Sequence, residues 1–143
     1  MFIGEYQASI DEKGRISIPA KFRDALKSKV VVTRGLDNSL FLYTLEEWKK
    51  LAEKLASLPI STANTRAFSR LMLAGAMDCE IDKQGRIILP SYLKDFAKIK
   101  KKAIVAGLYN RLEIWSEELW SSYKSQTEKE SNKIAEQLGS LGV

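Results

Sequence analysis

The chain has no histidine among its 143 residues. That removes the commonest general base, the Ser–His and Cys–His nucleophile pairs and the usual zinc ligand. Its one cysteine, Cys79, has no partner for an internal disulfide, which leaves a small buried side chain as the expected role. No apolar run approaches the roughly 20 residues of a membrane span. The opening Met1-Phe2-Ile3-Gly4-Glu5 lacks the basic start and apolar stretch of a signal peptide, so a cytoplasmic protein is expected. A phosphate-cradling glycine loop, a nucleophile elbow and a metal-ligand cluster are missing as well. These absences predict a protein that is not an enzyme and needs neither cofactor, metal nor small-molecule substrate.

What is present is a repetition. Ile10-Asp11-Glu12-Lys13-Gly14-Arg15-Ile16-Ser17-Ile18-Pro19 returns 71 positions later as Ile81-Asp82-Lys83-Gln84-Gly85-Arg86-Ile87-Ile88-Leu89-Pro90. Outside that unit Phe2-Ile3-Gly4 matches Leu73-Ala74-Gly75, and Ala8 matches Cys79. Further on, Gly35 to Thr44 matches Gly107 to Ser116 at an offset of 72, which places one extra residue in the loop between helix and strand. An internal repeat of this quality outranks any short motif within it.

Each unit reads as strand, tight turn, strand and short helix. Asp11 and Asp82 can bond amides of their own turns, and Gly14 and Gly85 accept positive φ. Pro19 and Pro90 suit a helix start, where a missing N–H is not required. A β-branched strand at 29–33, a turn at Gly35–Asn38 and a strand at 40–43 follow, and Thr44-Leu45-Glu46-Glu47 is a capping box. It opens a helix whose spacing puts Leu45, Trp48, Leu51, Ala52 and Leu55 inward, ended by Pro59. A second helix is expected from about Thr62 to Leu73, with Ala63, Phe68, Leu71 and Met72 inward. The second unit repeats this order at 76–81, 86–89, 90 onward, 103–106 and 112–115. A last helix opens at Ser116 and runs toward Ile134 or Leu138, with Leu119, Trp120, Tyr123, Ile134 and Leu138 as packing residues. Halves of this size would be marginal alone. One intertwined domain over 1–143 is therefore expected, with repeat 1 at 1–58, a bridging helix at 59–75 and repeat 2 at 76–143.

The net charge of +5 is unevenly placed. Between 11 and 34 seven cations oppose three carboxylates, and between 82 and 102 seven oppose two, so the rest of the chain is net acidic. Cations gathered on a duplicated element are the footprint of a polyanion-binding face. Solvated helix surface is the plainer account, above all for Lys98 to Lys102.

These features together resemble the MraZ family of bacterial transcriptional regulators, built from two SpoVT/AbrB-like repeats. The resemblance rests on Met1-Phe2-x-Gly4-Glu5-Tyr6, the Asp-x-x-x-Arg signatures at 11–15 and 82–86, Ile18-Pro19-Ala20-Lys21-Phe22-Arg23, and Asn110-Arg111-Leu112-Glu113-Ile114-Trp115. It implies an α+β fold, an AbrB-like double-psi, swapped-hairpin β-barrel made by two pseudo-symmetric repeats with added helices. It also implies a ring-shaped homo-oligomer, associated with the nucleoid, that binds double-stranded promoter DNA at short direct repeats. The target would be the cell-division and cell-wall gene cluster that carries its own gene, usually repressed. By position, Arg15 and Arg86 would be the DNA contacts with Lys13 and Lys83 beside them, while Asp11, Gly14, Asp82 and Gly85 would shape the turns. An antitoxin-like repressor of the same hairpin class, or an oligomeric interaction or RNA-binding protein, are the competing readings.

Overall fold

Residues 1–143 are described by a computed structural model. Alternation of apolar and polar residues makes β1 (Phe2–Ser9) a half-buried strand, with Phe2, Tyr6 and Ala8 turned inward. It turns into the three-residue β2 (Arg15–Ser17), and Pro19 then caps α1 (Ala20–Leu26), which buries Phe22 and Leu26. The continuous apolar run Val30-Val31-Val32 forms β3 (Lys29–Arg34), and β4 (Leu40–Thr44) pairs with it antiparallel. Between them Asp37 and Asn38 both adopt positive φ, and Ser39 N–H donates to the Leu36 carbonyl. That is the primed turn whose twist matches a β-hairpin. The second repeat builds β5 (Met77–Glu80), β6 (Arg86–Ile88), α4 (Ser91–Ala97), β7 (Lys102–Tyr109) and β8 (Leu112–Ser116), after α2 (Leu45–Ala56) and α3 (Ala63–Ser69).

The repeats exchange strands. The main sheet is antiparallel in the order β1-β7-β8-β4-β3-β5, so each repeat lends its first strand to an edge of the other's hairpin. Strands β2 and β6 leave that sheet and pair with each other as a two-stranded ribbon. A bridge between Ile10 and Ile16 ties β2 to β1, and β6 lies against β5, so the ribbon joins the two sheet edges and closes a small barrel. This is the swapped-hairpin architecture with a pseudo-twofold axis between β4 and β8 and through the ribbon. The core has 21 buried residues, among them Ile16, Ile18, Phe22, Ile87, Leu89 and Leu93. Phe22 is held edge-on by the rings of Phe2 and Tyr6, at 5.7 and 5.4 Å between centroids.

Strand register corrects the repeat alignment. Val30 faces Thr44 just as Ala103 faces Ser116, and Ser9 faces Lys102 just as Glu80 faces Lys29. The loop after α4 therefore holds two more residues than the loop after α1, and the β7–β8 turn holds one fewer than the β3–β4 turn. A sequence offset sees only the net difference of one.

Helices cover the outer faces. The Thr44 hydroxyl accepts from Glu47 N–H and caps α2, and Ser116 caps α5 (Glu117–Lys129) through Leu119 N–H. A second cluster of Phe41, Tyr43, Leu55 and Met72, flanked by Trp48, Leu51 and Phe68, fills the space under α2 and α3. Leu45 and Ala63, expected inward, are exposed at the first positions of α2 and α3. The second helix is α only to Ser69 and then runs as a π-helical turn, Arg70–Ala74. There the buried Thr33 hydroxyl donates to the Met72 carbonyl at 2.6 Å, the kind of insertion that accompanies a widened turn. The last helix also departs from expectation. It breaks at Glu130, and α6 (Ser131–Gln137) buries nothing. Ile134 and Leu138 are exposed, whereas Tyr123, though partly open to solvent, packs as expected, its ring 5.1 Å from Trp115. Helix α5 is seated through Leu119 and through the Trp120 and Tyr123 rings on Trp115, the former at 5.3 Å.

Candidate nucleic-acid interface

Both signature turns are built alike. Gly14 N–H donates to the Asp11 carbonyl and Asp11 N–H to the Arg15 carbonyl, with Gly14 at φ 81°; Gly85, Asp82 and Arg86 repeat this with Gly85 at φ 77°. A turn followed by a left-handed glycine is the common three-residue hairpin loop. The aspartate does the rest of the work. Oδ1 of Asp11 accepts from Lys13 N–H at 3.0 Å and Arg15 N–H at 2.9 Å, and Oδ1 of Asp82 accepts from Gln84 N–H and Arg86 N–H, both at 2.9 Å. Their Oδ2 atoms receive Nε of Arg15 at 2.6 Å and of Arg86 at 3.0 Å. These bonds, the arginine backbone N–H foremost, hold both carboxyls below the usual aspartate range.

Because Nε is tied to the turn, each guanidinium has a fixed plane, and its terminal Nη groups bond to nothing in the protein. The arginine side chains are 30% and 27% exposed. In the ribbon Arg15 faces Ile88 and Ser17 faces Arg86, with Ile16 and Ile87 turned to the core. The two arginines are thus diagonal neighbours on one outer face, beside an Ile88 that is 60% exposed. The expected turns are present, while the two-stranded ribbon that carries both arginines comes from β2 and β6, one strand from each repeat.

The lysines are less symmetric than their pairing in the sequence suggests. Lys13 occupies the third position of its turn, matched by Gln84, whereas Lys83 occupies the second, matched by Glu12. Both side chains are exposed. Two further cations join the turns from across the pseudo-dyad. Arg23 of α1 donates from Nε to the Ile18 carbonyl at 2.8 Å and lies against Gly85, where a Cβ would come within 2.2 Å of that nitrogen. Lys94 of α4 approaches Gly14 in the same way, its Cδ 3.8 Å from where a Cβ would stand. Each follows its proline by four positions, a signal present in the repeat but silent about the contact, since the partner turn belongs to the other repeat.

The run of residues 110–115 has a structural role. Arg111 donates from Nε and Nη2 to Oε2 of the buried Glu113, whose Oε1 accepts from Trp115 Nε1 at 3.0 Å. The same guanidinium lies 4.6 Å from the Phe41 ring centre, which ties β8 to β4 on the sheet's outer face.

A strand-exchanged barrel with two aspartate-clamped arginine turns on one face defines a two-repeat, swapped-hairpin protein. The family model described as "MraZ protein, putative antitoxin-like" matches residues 1–71 and again 72–140. The chain is 50% identical over 143 residues, all of both chains, to the transcriptional regulator MraZ of Caldanaerobacter subterraneus subsp. tengcongensis. It is 51% identical, again over the full length of both, to that of Thermoanaerobacter sp. strain X514. With the Natranaerobius thermophilus regulator it shares 51% over 138 residues, 96% of each chain. The chain belongs to the MraZ family of transcriptional regulators.

Proposed function

We infer that this protein regulates transcription by binding duplex promoter DNA with the outer face of the β2–β6 ribbon. The observation that carries this reading is the pair Arg15 and Arg86, diagonal on one face, each oriented by its own aspartate with its Nη groups free. A two-stranded ribbon fits the major groove, and a fixed guanidinium can donate both Nη groups to guanine O6 and N7. Lys13, Lys83, Arg23 and Lys94 stand around the turns as phosphate contacts. That the relatives are transcriptional regulators by name supports the same function. In this reading the protein acts on the nucleoid, binds short direct repeats upstream of its own cell-division and cell-wall gene cluster, and represses it.

One protomer offers few base contacts, and a closed ring of copies would present the ribbons at regular spacing to tandem DNA repeats. Apolar surface available for such contacts includes the cross-strand pair Ile3 and Leu108, both exposed, and Ile134 of α6 with Leu138 just beyond it.

A gel shift with the DNA upstream of the protein's own gene tests the reading. Arg15→Ala or Arg86→Ala is expected to cost about 1–3 kcal/mol per lost bidentate contact and to blur the preference for operator over mutated operator. Lys13→Ala or Lys83→Ala is expected to weaken all duplexes alike. Folded, correctly assembled Arg15→Ala protein with unchanged affinity and specificity would overturn the role of this turn.

A further inference from the structure

The pseudo-symmetry of the barrel fails in one basic place. The loop that joins α1 to β3 has two residues, Lys27 and Ser28, whereas the loop that joins α4 to β7 has four, Lys98-Ile99-Lys100-Lys101. The longer loop is not loose. Ile99 is 5% exposed and belongs to the core, and its N–H donates to the Lys94 carbonyl at 3.0 Å. Lys98 takes the left-handed conformation at φ 56°, so the chain reverses there. Plugging Ile99 inward drives the flanking Lys98, Lys100, Lys101 and Lys102 outward, and all four are exposed.

None of the protein's five ion pairs uses any of these lysines or Lys94. Lys94, Lys100, Lys101 and Lys102 line one shallow depression together with Asp11 and Glu12, so the loop runs directly into the first signature turn. Of the carboxylates nearby, Asp11 is engaged by Arg15 and Glu117 by Gln7, and Glu12, Asp95 and Glu118 remain open to solvent. The depression beside the N-terminus of α5, formed by Lys98, Lys100, Lys101 and Lys102 with Glu117 and Glu118, has no apolar lining residue.

We propose that the loop 98–102 is a phosphate-backbone clamp that extends the DNA-binding face on the side of the first turn only, so that the two repeats grip the duplex unequally. This rests on the ribbon being the DNA-binding face. A protein partner needs an apolar anchor to hold its interface, and these depressions offer almost none. A polyanion needs only closely spaced cations, and flexible lysines on a fixed loop supply them without reading bases. Phosphates flanking the segment read by Arg15 pass over Lys94, Lys100, Lys101 and Lys102, whereas on the side of Arg86 they meet the shorter loop with Lys27 and Lys29.

The test measures operator and unrelated duplex binding across a salt series for the full-length protein, for Lys100→Gln/Lys101→Gln/Lys102→Gln, and for the charge-matched control Lys49→Gln/Lys54→Gln/Lys129→Gln. Each phosphate contact contributes about 0.9 to the slope of log K against log salt. The loop variant is expected to flatten that slope by about two to three per engaged subunit and to keep the ratio of operator to unrelated DNA. The control is expected to leave the slope unchanged, and Lys→Arg at the three loop positions to preserve it. Equal melting temperatures and oligomer sizes establish that only the surface has changed. A slope like the control's, or a loss of operator preference without a change in slope, overturns the clamp while leaving the arginine reading intact. If the unaltered protein binds no duplex DNA, both the clamp and the function on which it rests fall.

Discussion

At the scale of single residues, the signature turns are short circuits in which every part depends on aspartate. Asp11 accepts two backbone N–H groups and one guanidinium N–H, and Asp82 does the same. Such bonds favour the charged carboxylate and place both pKa values below the ordinary 3.8. The sign follows from linkage: a carboxyl depressed in the folded state contributes order that is fully present above its unfolded pKa and is lost as pH falls through the folded value. The turns are therefore expected to hold unchanged from pH 8 down to about 5 and to loosen only below the normal aspartate range. NMR titration of the Asp11 and Asp82 carboxyl carbons together with the Arg15 and Arg86 Nε–H signals checks this; loss of the Nε–H contact near pH 6 would contradict it. The turns were legible in the sequence because their chemistry is local, confined to five consecutive residues. Arg23 and Lys94 were not, because what they touch is set by strand exchange between distant segments. Cys79 follows the simple expectation, buried in β5, with that burial raising its thiol to about 11 and keeping it a poor nucleophile.

At the scale of elements, what the sequence announced best were the beginnings. Thr44 and Ser116 cap their helices through their hydroxyls, and Pro19 and Pro90 precede α1 and α4. Endings were less visible, since the polar stretch from Ser125 to Lys133 keeps good helix formers on both sides of the break at Glu130. Ile134 and Leu138 have helical spacing, but spacing does not say whether a face has something to lie on. The α5 segment is anchored by the Trp120 indole and Lys124 ammonium on Glu5 and by Trp120 on Trp115, whereas α6 contributes no buried residue. Removing residues 131–143 is thus expected to leave the melting temperature of the protomer fold within about 2 °C, because none of the buried core residues lies in that segment. A calorimetric scan with parallel sizing of the shortened chain checks this. A drop of many degrees with no change in oligomer size would mean that the segment supports the barrel itself.

At the scale of the whole molecule, the fold is one core assembled from two incomplete ones. Of its 21 buried residues eleven come from the first repeat, up to Leu42, and ten from the second, from Cys79 onward. Neither group can be enclosed alone, because each repeat's first strand pairs with the other's third, and the ribbon takes one strand from each. We propose that 1–143 is a single intertwined folding unit, and separating its halves tests that. Residues 1–75 would leave unpaired the side of β1 that meets β7 and the side of β3 that meets β5, and would uncover the inner faces of Ile16, Ile18 and Phe22. A half of that size buries too small a share of its surface to offset the entropy of ordering the chain. Each half alone is therefore expected to lack a cooperative melt as a monomer, or to be folded only as a self-paired dimer that mimics the missing repeat. Mixed in equal amounts, 1–75 and 76–143 are expected to regain the circular dichroism of the intact chain, with a melting temperature that rises with concentration, since two chains must now meet. Two halves that each melt cooperatively as monomers at all concentrations would show that the strand exchange is a docking of finished domains, and the single-unit reading would fail.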